Sequence, residues 1–338
     1  MNLSQNQPEL EAFYNKDFYF SYSSINKLLF SPNAFYKHYI LNEREDSTDA
    51  HLIAGRALHC LLLEENDFDN QFILLPGKFP SDNIRNVVDR VFKNYYLQQE
   101  NKSLTLDGFN DAILNELLSI NLYQKLKTDN QRLGKVKTDD SLEYFEFLKT
   151  SVDKTVIDQD TYNRVKESAQ IIKSNDTIAS LMNLNDDAAD NIKTFNEVKL
   201  EVKLKDQPFG LKGILDNVLV DQDSKTVFIN DLKTTGKPIQ KFPESVDYYN
   251  YWIQAVVYFI LVVNGLLKDE VDLNDWNVHF TFIVVDNYNN VYPFQVSDDT
   301  FSDWLLAFEN DILKIVKYHY ENKDFTLPYE LALGNVKL

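Results

Sequence analysis

A single cysteine, Cys60, stands in a chain of 338 residues. One thiol closes no disulfide within the chain and builds no cysteine-based zinc or iron–sulfur centre. Positive charge is in deficit: 34 Lys and Arg face 52 Asp and Glu, a net charge of −18. Bulk charge therefore does not hold this chain on nucleic acid, and only a local basic groove is left for that role. Long apolar runs are missing too. The most apolar stretch, Ala255–Val263, has nine residues, against the roughly 20 that span a bilayer, and reads as a buried helix. Residues 1–18 hold no basic segment followed by an apolar one, so no secretory leader is expected and a cytoplasmic location is. There is no P-loop: Gly236-Lys237-Pro238 lacks the leading glycine and the Ser/Thr of that motif, which argues against a bound nucleotide or an ATP-driven motor.

What is present is ordinary for a globular protein, at 44% hydrophobic and 25% charged residues. Residues 21–41 read as helix, Ser31-Pro32 break, helix, and Leu52–Leu63 as an apolar helix containing Gly55 and His59. Residues 82–185 read as mostly helical, with Val87, Val91 and Tyr95 recurring every four residues and Asp158 capping a later helix. The pattern changes near Ile192. Lys193–Lys205, Phe209–Val220 and Thr226–Thr234 are β-rich runs separated by turn residues. A long helix is expected over Ser245–Leu267, a hairpin over His279–Val285 and Val291–Val296, and a last helix from Ser297 to about Glu321. This is an α/β chain with a helical first half and a three-strand, helix, two-strand second half.

The informative residues are Asp216, at the end of Gly213-Ile214-Leu215-Asp216, and Asn230-Asp231-Leu232-Lys233-Thr234-Thr235. Residues two apart on a strand share a face, so Asp231 and Lys233 point one way and Leu232 the other. A short hairpin can set Asp216 opposite them. An acid and a lysine on one face of an apolar strand are either a surface ion pair or a site. Gln254 and Tyr258 share a helix face at i, i+4, and a glutamine in so apolar a helix needs a partner. It finds one either in the backbone or in a strand-borne site. His59 is likewise either a satisfied core histidine or a ligand.

In this order, the residues resemble the RecB-like branch of the PD-(D/E)XK nuclease superfamily, closest to phage and prophage exonucleases of the RecE (exonuclease VIII) type. Tyr19–Asn26 with Ser31-Pro32-Asn33-Ala34-Phe35 is similar to that branch's S-x-S-x-L … C-P-x-x-F signature. The Gly55–Glu64 helix (G-x-x-L-H-x-L-L-L-E), the K-G-x-L-D strand ending at Asp216 and the D-L-K-T-T strand also match. Asn196-Glu197 resembles the acidic strand residue that precedes the G-x-x-D strand. Ser31 stands where iron–sulfur members carry cysteine, so no cluster is expected.

The resemblance implies a restriction-endonuclease-like core, a central mixed sheet flanked by helices (α/β, or α+β by some schemes) with a large helical N-terminal half. It implies one nuclease domain over 1–338: a mainly helical subregion at 76–190, a sheet core carrying the active site at 191–297, and a C-terminal helix and tail at 298–338. The implied activity is hydrolysis of DNA phosphodiesters by a Mg²⁺- or Mn²⁺-dependent exonuclease of phage origin, acting in recombination or DNA processing. Asp216 and Asp231 are then metal ligands, joined by the Leu232 carbonyl, His59 and Glu197, with Glu201 open in place of Glu197. Lys233 acts on the attacking water and the phosphate, and Gln254 and Tyr258 position the lysine region or the DNA. Thr234, Thr235, Lys212 and Lys237 contact DNA. Residues 193–241 carry nine lysines against seven acids, which fits a local positive channel. Double-stranded DNA ends, a single-strand annealing protein and a second copy of the chain are the implied partners, with no membrane, in the cytoplasm of a host cell. Two other classes stay open: a non-catalytic DNA- or protein-binding module on the same fold, and a virion-associated structural protein.

Overall fold

The computed structural model describes residues 11, 13–14, 18–43, 50–100, 102–185, 191–270 and 275–334. Much of the stretch read for a leader, and residues 186–190 at the end of the expected helical subregion, lie outside them. The chain forms two compact units, one of Met1–Glu65 with Val165–Leu338 and the other of Asn66–Arg164.

The first unit begins with strand β1 (Tyr19–Phe20) and helix α1 (Tyr22–Phe30). Ser21 and Ser24 close a capping box on α1, and the Ser31 hydroxyl accepts the Ala34 N–H to start the short helix Pro32–Phe35. Helix α2 (Ala50–Leu63) carries His59. The second unit packs α3 (Asp82–Val91), α4 (Asn110–Ser119) and α5 (Asp139–Thr150) about a core that includes Val87, Val91, Ile113, Leu117 and Phe145. It also contains a parallel pair absent from the sequence reading, β2 (Phe72–Leu74) with β3 (Thr155–Ile157). Three residues per strand are too few to show a period. Helix α6 (Gln159–Ser174) starts at Asp158, whose carboxylate accepts the Thr161 N–H at 2.8 Å. Helix α7 (Asp176–Met182) ends on Asn183 at φ 50.

The sheet of the first unit has six strands in a mixed arrangement: β1, β4 (Ile192–Lys203), β5 (Gly210–Asp221), β6 (Thr226–Thr235), β7 (Asn277–Asp286) and β8 (Val291–Gln295). β4 pairs with β5 antiparallel along nearly all of its length, from Ile192↔Asp221 to Lys203↔Gly210. The other edge of β5 is therefore shared. β1 runs parallel to it at Gly210 and Leu211, and β6 antiparallel to it from Asn217↔Asn230 to Asp221↔Thr226. Between these two pairings, no strand among the described residues lies beside the edge over residues 212–216. β6 stays parallel to β7 throughout, from Thr226↔Asn277 to Thr235↔Asp286.

The helix expected over Ser245–Leu267 is two helices, α8 (Phe242–Tyr248) and α9 (Tyr251–Leu261), bent by 76°. The break is Asn250, whose φ of 55 is left-handed, a conformation asparagine tolerates better than most residues. Apolar periodicity continues across the break, which is why the sequence reads as one helix. Helices α10 (Asp298–Ala307) and α11 (Leu313–Asn322) follow the hairpin, the first capped by Ser297. Among the described residues no single helix is long and apolar enough to cross a membrane.

Gly210 is where β1, β4 and β5 meet. A Cβ there would collide with the Tyr19 ring and the Val202 carbonyl. Gly210→Ala should thus lower stability by about 1–3 kcal/mol through overpacking, read as a lower urea midpoint with an unchanged slope. An unchanged midpoint would mean β1 is not docked against β5.

Candidate active site

The site begins where β5 leaves β6. In β6 the apolar Val227 and Ile229 are buried, and so is Asp231, at 0% exposure. Beyond Asn230, β5 no longer supplies hydrogen bonds. The N–H and C=O of one strand residue point to the same edge, so both backbone groups of Leu232 face the side that β5 has left. Side chains take them. Asp216 Oδ2 accepts the Leu232 N–H at 2.7 Å, and His59 Nε2 lies 3.1 Å from the Leu232 carbonyl oxygen.

Three acids share one register row. Asn196↔Asn217 and Val198↔Leu215 set Glu197 opposite Asp216, and Asn217↔Asn230 sets Asp216 level with Asp231. The pleat is interrupted here. Glu197 has φ 46, a left-handed conformation rare for a side chain of this size and common at functional sites. The core-facing parity changes across the row: Phe195 gives way to Val198, Leu200 and Val202 on β4, and Leu215 to Val218 and Val220 on β5. Simple alternation would place Glu201 with Glu197, but Glu201 is exposed, opposite Lys212. The interrupted pleat is the reason. Helix α2 brings in His59, whose Nδ1 lies 3.5 Å from Asp216 Oδ1 and 3.6 Å from Glu197 Oε1. One donor atom each from His59, Glu197 and Asp216 lie within 4.8 Å of one another.

Asp231 stands outside that group of three. Its Oδ2 meets the Lys233 ammonium at 2.5 Å and its Oδ1 accepts from Gln254 Nε2 at 2.9 Å. Gln254 also donates to the Tyr258 hydroxyl at 2.9 Å, and Tyr258 donates to the Ile214 carbonyl at 2.6 Å, on the unpaired edge of β5. The helix face of Gln254 and Tyr258 is thus turned to the D-x-K strand. Tyr251 extends the same face one turn earlier, its ring 4.9 Å from Lys233 Nζ. The sequence reading missed it, although 251, 254 and 258 follow helical i, i+3, i+7 spacing.

A second row was also missed. Asn196, Asn217 and Asn230 form a ladder: Asn230 Nδ2 donates to Asn217 Oδ1 and Asn217 Nδ2 to Asn196 Oδ1, each at 2.8 Å. Asn230 and Asn217 also donate to the carbonyls of Leu181 and Met182 at the end of α7, at 2.7 and 3.0 Å. Asn196 donates to the Leu63 carbonyl at the end of α2, at 3.3 Å. The sequence signal is that each acid of the row has an asparagine neighbour: Asn196-Glu197, Asp216-Asn217, Asn230-Asp231.

The profile of the PD-(D/E)XK nuclease superfamily matches residues 130–326, more than half of the chain. The chain belongs to the PD-(D/E)XK nuclease superfamily. The matched span contains Glu197, Asp216, Asp231, Lys233, Gln254 and Tyr258, while His59 precedes it. No curated protein matches the chain. Among solved structures, a protein of Eubacterium rectale named as a candidate exonuclease is similar at 13% identity, over 97% of this chain and 91% of that one, with a TM-score of 0.49.

Nucleases of the superfamily use divalent metals, and the donors here fit one. Two carboxylates and an imidazole form a set of oxygens with one nitrogen, and the Leu232 carbonyl lies beside the ring's other nitrogen. Metal–ligand bonds of about 2.0–2.6 Å require donors roughly as close together as these are. Without a metal the charges balance among themselves. Burial opposes charge on His59, but Asp216 and Glu197 outweigh it and push the ring up to about 10. Burial also works against Asp216, yet His59, Lys233 and the Leu232 N–H hold it below the usual carboxylate range. At Asp231 burial prevails over Lys233, and the nearby Asp216 adds to it, raising the carboxyl to about 6. Burial disfavours the Lys233 charge, but Asp231 and Asp216 keep the amine above its ordinary value.

The residues read as DNA contacts are spread out. Thr234 is exposed, its hydroxyl 3.5 Å from where a Cβ would stand at Gly55 on α2. Thr235 is half-buried and accepts the N–H of the exposed Lys237 at 3.2 Å. Lys212 is exposed, four residues along β5 from Asp216 and 6.0 Å from the Phe18 ring. That spacing is about 13 Å of strand, so Lys212 is not brought to the acids.

Two outcomes follow from these contacts. Folded His59 holds a proton that the unfolded chain releases above its ordinary pKa of 6.5. Its contribution to stability is full below about pH 6.5 and is lost as pH rises through about 10. In chelator, the melting temperatures of wild type and His59→Gln should therefore converge over that window; a constant gap would show that the imidazole is not charged. Asn217→Ala should cost about 2 kcal/mol or more in chemical denaturation, because it strands buried partners on two strands and a helix end. A loss near zero would mean water replaces the ladder.

Proposed function

We propose that this chain is a divalent-metal-dependent DNA exonuclease of the RecB-like branch, of the RecE type. The observation that carries the reading is the row Glu197–Asp216–Asp231 beside Leu232, with Lys233 held on the same strand. Glu197, Asp216, His59 and the Leu232 carbonyl hold the metal, and Asp231 is the further carboxylate of the set. The bound ion supplies acidification of a water and charge neutralisation at the phosphate. The imidazole among oxygens suits Mn²⁺ as well as Mg²⁺.

Lys233 keeps its proton through Asp231 and is steadied over the Tyr251 ring, so its ammonium faces the anionic phosphate and orients the attacking water. Gln254 fixes the Asp231 carboxylate through one oxygen and leaves the other to the lysine. Tyr258 closes the free edge of β5 and holds Gln254. Thr234, Thr235 and Lys237 follow the acid–lysine pair along β6 and its turn and contact the DNA backbone; Lys212, further along β5, is a more remote phosphate contact. The substrate is DNA with ends. The setting is phage recombination in a host cytoplasm, alongside a single-strand annealing protein and, in assembly, further copies of the chain. Residues 76–190 are an insertion within this one nuclease chain.

The test compares linear and closed circular duplex DNA with Mg²⁺, Mn²⁺ or EDTA. Linear DNA should be degraded with metal and circular DNA spared. Asp231→Asn should abolish turnover. Lys233→Ala should lose about 10²–10⁴-fold in rate with metal binding retained in calorimetric titration. Equal loss of linear and circular DNA would make the enzyme an endonuclease, and a wild-type rate in Asp231→Asn would remove the catalytic reading altogether.

A further inference from the structure

The break between α8 and α9 is held open by a dedicated set of contacts. Asn250 is left-handed, and its side chain donates to Asn26 Oδ1 at 2.8 Å. The Tyr249 carbonyl accepts from the Tyr22 hydroxyl at 2.6 Å and from Asn26 Nδ2 at 3.3 Å. Both partners lie on α1, more than 220 residues away in sequence. An unfavourable backbone conformation clamped by a distant helix marks a segment whose direction matters.

The clamp directs tyrosines. Tyr248 is 76% exposed and Tyr249 45% exposed. Their rings meet edge-on at 4.8 Å, and Tyr249 lies 5.4 Å from Tyr251 at an angle of 31°. Tyr251 is the ring beneath Lys233. An unbroken path of aromatic rings thus runs from the surface to the lysine of the site. Exposed aromatics scattered singly are unremarkable, but a joined set ending at a buried charged site is a binding surface. Glu244 and Asp247 on α8 are exposed beside it, and Lys241 is paired with Glu244. The surface therefore has no excess of positive charge and is poorly suited to a phosphate backbone laid along it. It suits the π face of a base. Bases inside a duplex have both faces covered by their neighbours, and a duplex end exposes only the outer face of its last pair; a run of unpaired nucleotides offers a face at every base.

We propose that Tyr248 and Tyr249, continued by Tyr251, form a stacking platform for unpaired nucleotides next to the scissile phosphate, so that the preferred substrate is a frayed or single-stranded DNA end. This rests on the nuclease reading of the same site. The platform receives one strand as it leaves the duplex, and stacking aligns its phosphate with Lys233.

The experiment measures fluorescence anisotropy of a dye-labelled mixed-sequence single strand and of a blunt duplex of equal length, in EDTA. The proteins are wild type, Tyr248→Ala/Tyr249→Ala and Tyr248→Phe/Tyr249→Phe. The alanine pair should weaken single-strand binding about tenfold or more, with duplex binding changed less than about twofold. The phenylalanine pair should bind as wild type, since stacking uses the ring and not the hydroxyl. Unchanged single-strand binding in the alanine pair overturns the proposal. So does an equal loss in the alanine and phenylalanine pairs, or an equal loss on duplex. Hydrolysis with Mn²⁺ is scored separately. A wild type that binds single strands through these rings but cleaves no DNA keeps the platform and removes the nuclease reading. A cleaving enzyme indifferent to the alanine pair does the reverse.

Discussion

The parting of two strands organises this protein. β5 runs beside β6 as far as Asn217 and Asn230 and then leaves it, exposing the backbone edge of Leu232 inside the fold. A buried backbone group without a partner costs on the order of 1–3 kcal/mol, so side chains take the place of the missing strand. Asp216 accepts the N–H, His59 approaches the carbonyl, and on the opposite side of the gap Tyr258 caps the Ile214 carbonyl. The residues that fill the gap are the same ones that gather carboxylates and an imidazole at one point. Fold and site are thereby tied together: the fold needs those polar groups at the gap, and the gap fixes where they are.

Gathering charge in this way is costly. Asp216 and Asp231 are both buried, and Glu197 lies next to Asp216. Like charges this close are tolerated only with cations or protons among them. Lys233 serves Asp231 and a protonated His59 serves Asp216 and Glu197, while the raised Asp231 carboxyl takes up a proton readily. A divalent ion would compete with the His59 proton for the same electron pair, which links metal affinity to pH. The asparagine ladder one row away solves a complementary problem. It is neutral, so it crosses three strands and reaches two helix ends without adding charge.

Helix α9 serves two sides at once. Its Gln254 and Tyr258 reach inward to Asp231 and to the free edge of β5, and Tyr251 lies between Lys233 and the surface tyrosines. Both roles depend on the 76° bend at Asn250, because a straight continuation of α8 would carry Tyr251, Gln254 and Tyr258 along another direction. The clamp from α1 onto this bend gives the N-terminal S-x-S-x-L-like segment a structural reason to sit beside the site.

Much of this was legible from local pattern. Alternation on a strand put Asp231 and Lys233 together, and helical spacing put Gln254 with Tyr258, because both periods are properties of a few consecutive residues. The order of strands in the second half and the position of His59 on an apolar helix were read in the same way. Other features follow from pairing between distant segments, which no local period records. β1 is two residues long and exists only because β5 is there. The choice of Glu197 over Glu201 depends on a left-handed residue that breaks the alternation on which the sequence argument relied. The break at Asn250 is hidden because apolar residues continue through it and its stabilising partners are on α1. The three asparagines stand in the sequence as unremarkable polar residues, and only the register of β4, β5 and β6 brings them into a ladder. The sequence by itself determined which chemical groups are available and which share a face; the tertiary structure decided which of them meet, since that depends on where two long strands part.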